Sequence, residues 1–295
     1  VATAAWREIL ADQPAVDTVV RHDGELTLLA LLEALEQPET WLELPGVCAR
    51  DSDGIPTAAP PREQVADLDA LPFPMRDRPH ARHIGLGFAP MVGGRGCYGD
   101  CAYCCINSWH RSSLGKRLRY RSPGDMAGEM AGLYHQRGAR IFCFHDDNFL
   151  LPRPRDTTAR LRELRGELDR LGVGKVGMVG KCRPDQLDRE MLREALELGV
   201  FRLYLGIENG SEAGLRHLGR KHDLASCVRS LELFREVGMF ACYNMLIFEP
   251  WTSFEDLEQN LAFMARATDF PSNFCRAEVY SGTRLQQDLI KAGRL

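Results

Sequence analysis

No segment of this 295-residue sequence is long and apolar enough to span a bilayer: the longest apolar stretch near the start, Leu26 to Leu35, is interrupted by Glu33 and falls well short of the ~20 residues needed. The first residues, Val1 to Arg7, lack a basic segment followed by an apolar one, so no signal peptide is visible and the expected location is cytoplasmic, with no membrane partner. There is no cationic excess either. Lys and Arg number 37 against 41 Asp and Glu, a net charge of -4, so no nucleic-acid partner is expected on charge grounds. The one basic run, Lys116 to Arg121, is short and reads as a solvated loop. No second Cys-x-x-Cys and no His pair lies at zinc-finger spacing, which argues against a closed structural zinc site. What is present is an ordinary folded composition, 44% hydrophobic and 26% charged. It suits one large α/β barrel or about two domains of ~150 residues. Ten cysteines in a chain of this kind point to metal or redox chemistry before disulfides.

The start reads as a strand, Val16 to Val20, an acidic turn at Asp23-Gly24-Glu25, and an amphipathic helix from Leu26 to about Glu36. These few elements cannot close a core alone, and with no initiator Met, further N-terminal sequence is expected. Residues 45–79 are rich in Pro, Asp and Gly and read as a linker. From His83 a βα alternation begins. Six strands are predicted near Gly87 to Val92, Arg140 to His145, Lys175 to Gly180, Phe201 to Ile207, Met239 to Ile247 and Phe274 to Tyr280. Helices are predicted at 125–137, 157–171, 188–198, 224–237 and 254–266. Six such units curl into a partial (β/α)6 TIM-like barrel, with ligand groups at the carboxyl ends of the strands.

Directly after the first of these strands comes Gly93-Gly94-Arg95-Gly96-Cys97-Tyr98-Gly99-Asp100-Cys101-Ala102-Tyr103-Cys104-Cys105. Three thiolates spaced Cys-x-x-x-Cys-x-x-Cys can converge on an iron–sulfur cluster, because soft sulfur suits iron and small residues let the backbone wrap closely. Three ligands for four irons leave one iron open to chelate a substrate. The literal match of Gly94-x-Gly96-x-x-Gly99 to a dinucleotide fingerprint is accidental, since no acidic residue follows about 20 positions on. Cys105 cannot easily face the same cluster, and Cys48, Cys143, Cys182, Cys227, Cys242 and Cys275 read by default as core. His110, His135, His217 and His222 have no partner at ligand spacing.

The Cys97, Cys101, Cys104 triplet, with Tyr103 before the last cysteine, resembles the signature of the radical S-adenosylmethionine (SAM) superfamily. Asp17 to Glu25, Leu44 to Val47 and Leu68 to Pro74 are similar to the end of the cobalamin-binding domain of one branch and its linker to the barrel. The resemblance implies a Rossmann-like remnant over residues 1–44, a Pro-rich linker over 45–82 and the barrel over 83–295. It implies a 4Fe-4S cluster on the three cysteines, SAM on the open iron, reductive cleavage to a 5'-deoxyadenosyl radical and, in the cobalamin branch, methyl transfer to carbon. Tyr103 would lie near the adenine. Asp146 and Asp147, at the end of the second strand, would help bind the amino group of SAM, with a capping or turn role as the alternative. Glu208, in Gly206-Ile207-Glu208-Asn209-Gly210, is similar to a family segment whose Glu contacts the cofactor, with Asn209 in place of Ser. Arg183 carries a fork that pairs with a carboxylate, either a ligand's or that of a surface ion pair. Trp251 would wall a pocket or cap the barrel. The branch's cobalamin-ligand motif Asp-x-His-x-x-Gly is absent. The implied partners are a small-molecule or peptide substrate and an electron donor such as flavodoxin or ferredoxin. A non-SAM electron carrier and a zinc or thiol module are the readings from other classes.

Overall fold

The computed structural model describes residues 2–79 and 81–295. It divides into two compact units, one made of residues 67–100 and 118–277, the other of 1–66, 101–117 and 278–295.

The smaller unit holds a three-stranded sheet, β1 (Thr18–Val20), β2 (Val47–Arg50) and β3 (Pro56–Ala58), with antiparallel pairing throughout. Trp6, Leu10, Val19 and Cys48 form its buried apolar cluster. Two expectations are corrected here. The stretch read as a linker supplies β2, whose Val47, Cys48 and Ala49 are buried, because Pro and Gly punctuate short strands as readily as they break helices. The segment expected to be a Rossmann-like remnant pairs its strand with β2 in antiparallel fashion, which is not the parallel pairing of that fold.

The larger unit is built on a seven-stranded sheet. After β4 (Arg82–His83) and β5 (Leu86–Met91), a two-residue ladder joins β6 (Gly94–Arg95) to β7 (Arg119–Tyr120). The sheet continues with β8 (Ala139–Phe144), β9 (Gly177–Cys182), β10 (Val200–Glu208), β11 (Phe240–Phe248) and β12 (Ser272–Arg276). Its order is β12-β11-β10-β9-β8-β5-β4, parallel except for the β4–β5 pair. Six consecutive parallel strands joined by helical crossovers make the expected partial TIM-like barrel. The helices fall at Pro123–Arg137, Pro154–Arg170, Arg189–Leu198, Leu224–Val237 and Phe254–Ala265. Their ends follow from local chemistry. Ser122 caps the first of them with Pro123 in its first turn, and Asp188, Asp223 and Ser253 accept N-terminal amide hydrogens of three others. Gly199 closes the helix before β10 at φ 104°, and a Cβ there would lie 2.3 Å from the Val176 carbonyl, so only glycine fits. The core runs continuously through strand and helix faces, with Phe142, Phe144, Met178, Leu205, Phe234 and Tyr243 among its buried residues.

The basic run is not a solvated loop. Arg119 and Arg121 are buried, because the helix that follows presents carboxylates to Arg121: Asp125 at 2.6 Å and Glu129 at 2.6 Å. Arg121 also donates to the Val92 carbonyl at 3.0 Å and so anchors the chain between β5 and the cysteine loop. Glu129, itself buried, takes Arg76 at 2.8 Å as well. Removing one member of a buried ion network leaves uncompensated charge, so Glu129→Ala is expected to cost about 3–5 kcal/mol, read as a lowered thermal midpoint. Cys275 also departs from expectation, lying exposed on the edge strand β12.

Candidate functional site

In the larger unit the carboxyl ends of β5, β8, β9 and β10 carry the polar residues singled out above. β5 runs into the glycine-rich loop, and β8 ends at the Asp146-Asp147 pair. Both carboxylates reach back to the loop. Asp146 Oδ2 accepts from the Gly93 N–H at 3.0 Å, and Asp147 Oδ2 accepts from the Gly96 N–H at 2.9 Å. Their turn-stabilising role is therefore realised on another segment, the one that leads to Cys97. Asp146 is buried, and that burial pushes its carboxyl up to about 6, against the pull of the Gly93 N–H and of Arg160. Arg160 donates to the Gly93 carbonyl at 3.3 Å and sits 5.6 Å over the Tyr120 ring. Burial, with Cys97 nearby, pushes the Tyr120 hydroxyl up to about 12.

Cys97 Sγ accepts from the Gly99 N–H at 3.3 Å. Between these two residues, Tyr98 lays its ring 4.9 Å under the Arg183 guanidinium, and its hydroxyl meets Arg183 Nε at 3.0 Å and Asp185 Oδ1 at 3.2 Å. Arg183 is buried and forks onto Asp185 at 3.0 and 3.1 Å. Burial works against ionisation of Asp185, yet the Arg183 hydrogen bond and charge hold its carboxyl below the usual range. His222, also buried, has its Nδ1 4.0 Å from Asp185, and burial together with Arg220 and Arg183 pushes its imidazole down to about 3. The carboxylate that Arg183 meets is thus internal.

Glu208 closes β10 at φ 75°, one of three non-glycine positive-φ residues among those described, and the register with β11 shifts there. Strain of this kind clusters at sites that over-determine a side chain's direction. Asn209 does more than a serine could. Its Oδ1 accepts from Ser211 N at 2.9 Å and from Asn260 Nδ2 at 3.1 Å, while its own Nδ2 donates to the Leu246 carbonyl at 3.1 Å. At the end of β11, buried Glu249 accepts from Trp251 N at 2.8 Å and pairs with His217 Nδ1 at 2.9 Å, and the Trp251 ring lies 5.6 Å from the imidazole. The histidines carried no sequence signal for this, because their partners come from distant strands.

In the smaller unit Cys101 is buried, Tyr103 and Cys104 are half-buried, and Cys104 is the N-cap of the helix Cys105–Arg111. Burial, with Cys101 and Cys105 nearby, pushes the Cys104 thiol up to about 12, so a metal binding there has to displace its proton. Cys105 faces elsewhere: with Ser108, Trp109 and Ser112, one helical face, it lines a cavity of about 240 Å³.

None of the ten cysteines is in a disulfide. Among the described residues no three His, Cys, Asp or Glu side chains are grouped to hold a single metal ion. The donor set of the loop, three soft thiols within eight residues, none in a disulfide and one sulfur accepting an amide N–H, has the chemistry that suits an iron–sulfur cluster.

Residues 91–264 match the model of the Radical SAM superfamily. The chain is 26% identical over 280 residues to an uncharacterized methyltransferase of Pyrococcus horikoshii, covering 94% of this chain and 59% of that protein. It is 26% identical over 260 residues to an anaerobic magnesium-protoporphyrin IX monomethyl ester cyclase of Synechocystis, covering 86% of this chain and 49% of that one. The chain thus spans about half the length of these curated relatives. Its fold superposes on OxsB, a cobalamin-dependent SAM radical enzyme solved with aqua-cobalamin and SAM bound, with a TM-score of 0.79 at 16% identity over 99% of this chain and 47% of that one.

Proposed function

The chain belongs to the radical SAM superfamily, and from that premise we propose that it cleaves SAM reductively on a 4Fe-4S cluster held by Cys97, Cys101 and Cys104, that the radical so formed takes a hydrogen atom from a carbon of a small molecule, and that this carbon then receives a methyl group from methylcobalamin. The observation that carries the reading is the thiol triplet, outside any disulfide, on a loop that β5 delivers and whose backbone the carboxylates after β8 hold. A cluster held there would supply the single electron that splits SAM into methionine and a 5'-deoxyadenosyl radical.

The chain's own residues supply order. Asp146 and Asp147 hold the loop, and by the family resemblance they are the groups offered to the SAM ammonium, with Glu208 in contact with the bound cofactor and Tyr103 beside the adenine. The strained Glu208 backbone directs a carboxylate at the carboxyl end of a barrel strand, where such sites form. Methyl transfer is supported by the methyltransferase name of the Pyrococcus relative and cobalamin by the OxsB likeness, while the cyclase relative shows that ring closure is also found among similar proteins. No residue of this chain is assigned to cobalamin, in keeping with the absent Asp-x-His-x-x-Gly motif. A reductant of the flavodoxin or ferredoxin kind would supply the electron. Among the described residues no helix is long and apolar enough to cross a membrane.

The test is anaerobic reconstitution with iron and sulfide, dithionite reduction with SAM, and chromatography for 5'-deoxyadenosine. Product is the expected result. A brown chain that makes none is either an electron carrier or an inactive fragment, and a colourless zinc-loaded one overturns the reading.

A further inference from the structure

We propose that Arg183, Asp185 and Tyr98 form a clamp that aims the Gly99 N–H at the Cys97 sulfur and thereby raises the reduction potential of the cluster; Arg183 is then a positioning residue, and the inference rests on the reading of Cys97 as a cluster ligand.

The clamp begins on rigid ground. Its base is the turn after β9, where the Arg183 N–H donates to Gln186 Oε1 at 3.0 Å and Gln186 Nε2 donates to the Leu150 and Leu151 carbonyls at 3.2 and 2.9 Å. That ties the turn to the segment that follows β8. From this base Arg183 commits Nε and Nη2 to Asp185, and its Nε also meets the Tyr98 hydroxyl. Tyr98 is therefore held at its ring face by a cation and at its hydroxyl by both members of an ion pair, which fixes the loop residue next to Cys97. Fixing Tyr98 fixes the peptide that follows, and the Gly99 N–H of that turn points at Cys97 Sγ at 3.3 Å.

A glycine at position 99 leaves room for the clamp. A Cβ there would sit 2.5 Å from Arg183 Nη1 and 3.3 Å from Cys97 Sγ, so the guanidinium reaches this close to the loop only because no side chain intervenes. An amide hydrogen aimed at a ligand sulfur favours the more negative, reduced form of a cluster, whereas the Arg183 charge is balanced by Asp185 and acts through position. The exposed Lys221–Asp100 pair at 3.9 Å is solvent-screened and contributes little. This differs from a ligand-binding role for Arg183, whose fork is already met by Asp185.

The experiment uses the full chain, reconstituted anaerobically, with iron content and an EPR-monitored redox titration on the wild type, Tyr98→Phe and Gly99→Ala. Both variants are expected to load iron and to titrate at more negative potential, with the reduced-to-oxidised ratio at a fixed poise near the wild-type midpoint falling roughly tenfold, about 59 mV for one electron. A merely structural role would lower thermal stability and leave the midpoint where it was, and that result overturns the clamp. If Tyr98→Phe fails to load, Gly99→Ala carries the comparison. Loss of the cluster in both variants also overturns the proposal, since the clamp would then serve assembly rather than tuning. A wild-type chain that takes up no cluster refutes the reading of Cys97 itself, and this is seen before any variant is compared.

Discussion

Cys101→Ala is expected to leave the reconstituted chain without a stable cluster and with 5'-deoxyadenosine below detection, whereas Cys105→Ala is expected to keep both. The contrast is sharp because the two residues are near neighbours with opposite surroundings. Cys101 is buried at the turn that precedes Cys104, and the Asn107 side-chain amide donates to its carbonyl at 3.3 Å, so its backbone is fixed. With three protein thiolates serving four irons, loss of any one leaves a second iron open, and the cluster's hold on the chain fails. Cys105 instead lies on the helical face that lines the cavity with Ser108, Trp109 and Ser112. Iron and sulfide analysis gives about four irons per chain in the wild type and in Cys105→Ala and near none in Cys101→Ala. Equal iron in all three would remove Cys101 from the ligand set.

Asp146→Asn is expected to stabilise the fold at neutral pH while weakening SAM cleavage. The sign follows from linkage. The Asp146 carboxyl is raised from 3.8 to about 6 in the folded chain by burial, so the proton-linked stability is fully present below the unfolded value and is lost as pH rises through about 6. At pH 7.5 the buried charge costs about 3 kcal/mol by this arithmetic, roughly 1.4 kcal/mol for each of the two units or so of shift. An asparagine amide oxygen still accepts the Gly93 N–H and carries no charge, but its NH2 needs a new acceptor at a cost of ~1–3 kcal/mol, so the net gain is expected to be about 0–2 kcal/mol. The gain is read as a higher thermal midpoint at pH 7.5 that disappears and turns into a small loss below pH 4, where the wild-type carboxyl is neutral. A variant less stable than wild type at both pH values would mean that the neutral amide is the worse fit and that the raised carboxyl carries no penalty. Loss of 5'-deoxyadenosine in a more stable protein would mark Asp146 as a residue whose charge serves the site at the fold's expense.

Much of the barrel could be read directly from the chain. β5, β8, β10 and β11 and the five crossover helices lie where the apolar periodicity puts them, because parallel strands buried on both faces read as continuous apolar runs and the helices carry clear caps at Ser122, Asp188, Asp223 and Ser253. β12 ends four residues earlier than expected and is wholly exposed, since an edge strand lacks the burial that produces a pattern. β6 and β7 were invisible: two residues each, in a glycine loop and a basic run, carry no period at all.

The amino-acid sequence by itself determined the cysteine triplet, the order of the βα units and the set of polar residues at the strand ends, because these depend on spacing within one loop and on local periodicity. Only the tertiary structure decided what those polar residues are joined to. Asp146 and Asp147 bind backbone more than fifty positions earlier in the chain, Arg183 meets Tyr98 across 85 residues, Glu249 meets His217 across 32, and Arg121 is buried because Glu129 comes round to it on a helix. Such pairings follow from the sheet order β11-β10-β9-β8-β5, which brings strand ends from remote parts of the chain side by side, and no local signal in the sequence encodes which side chain a neighbouring strand will present.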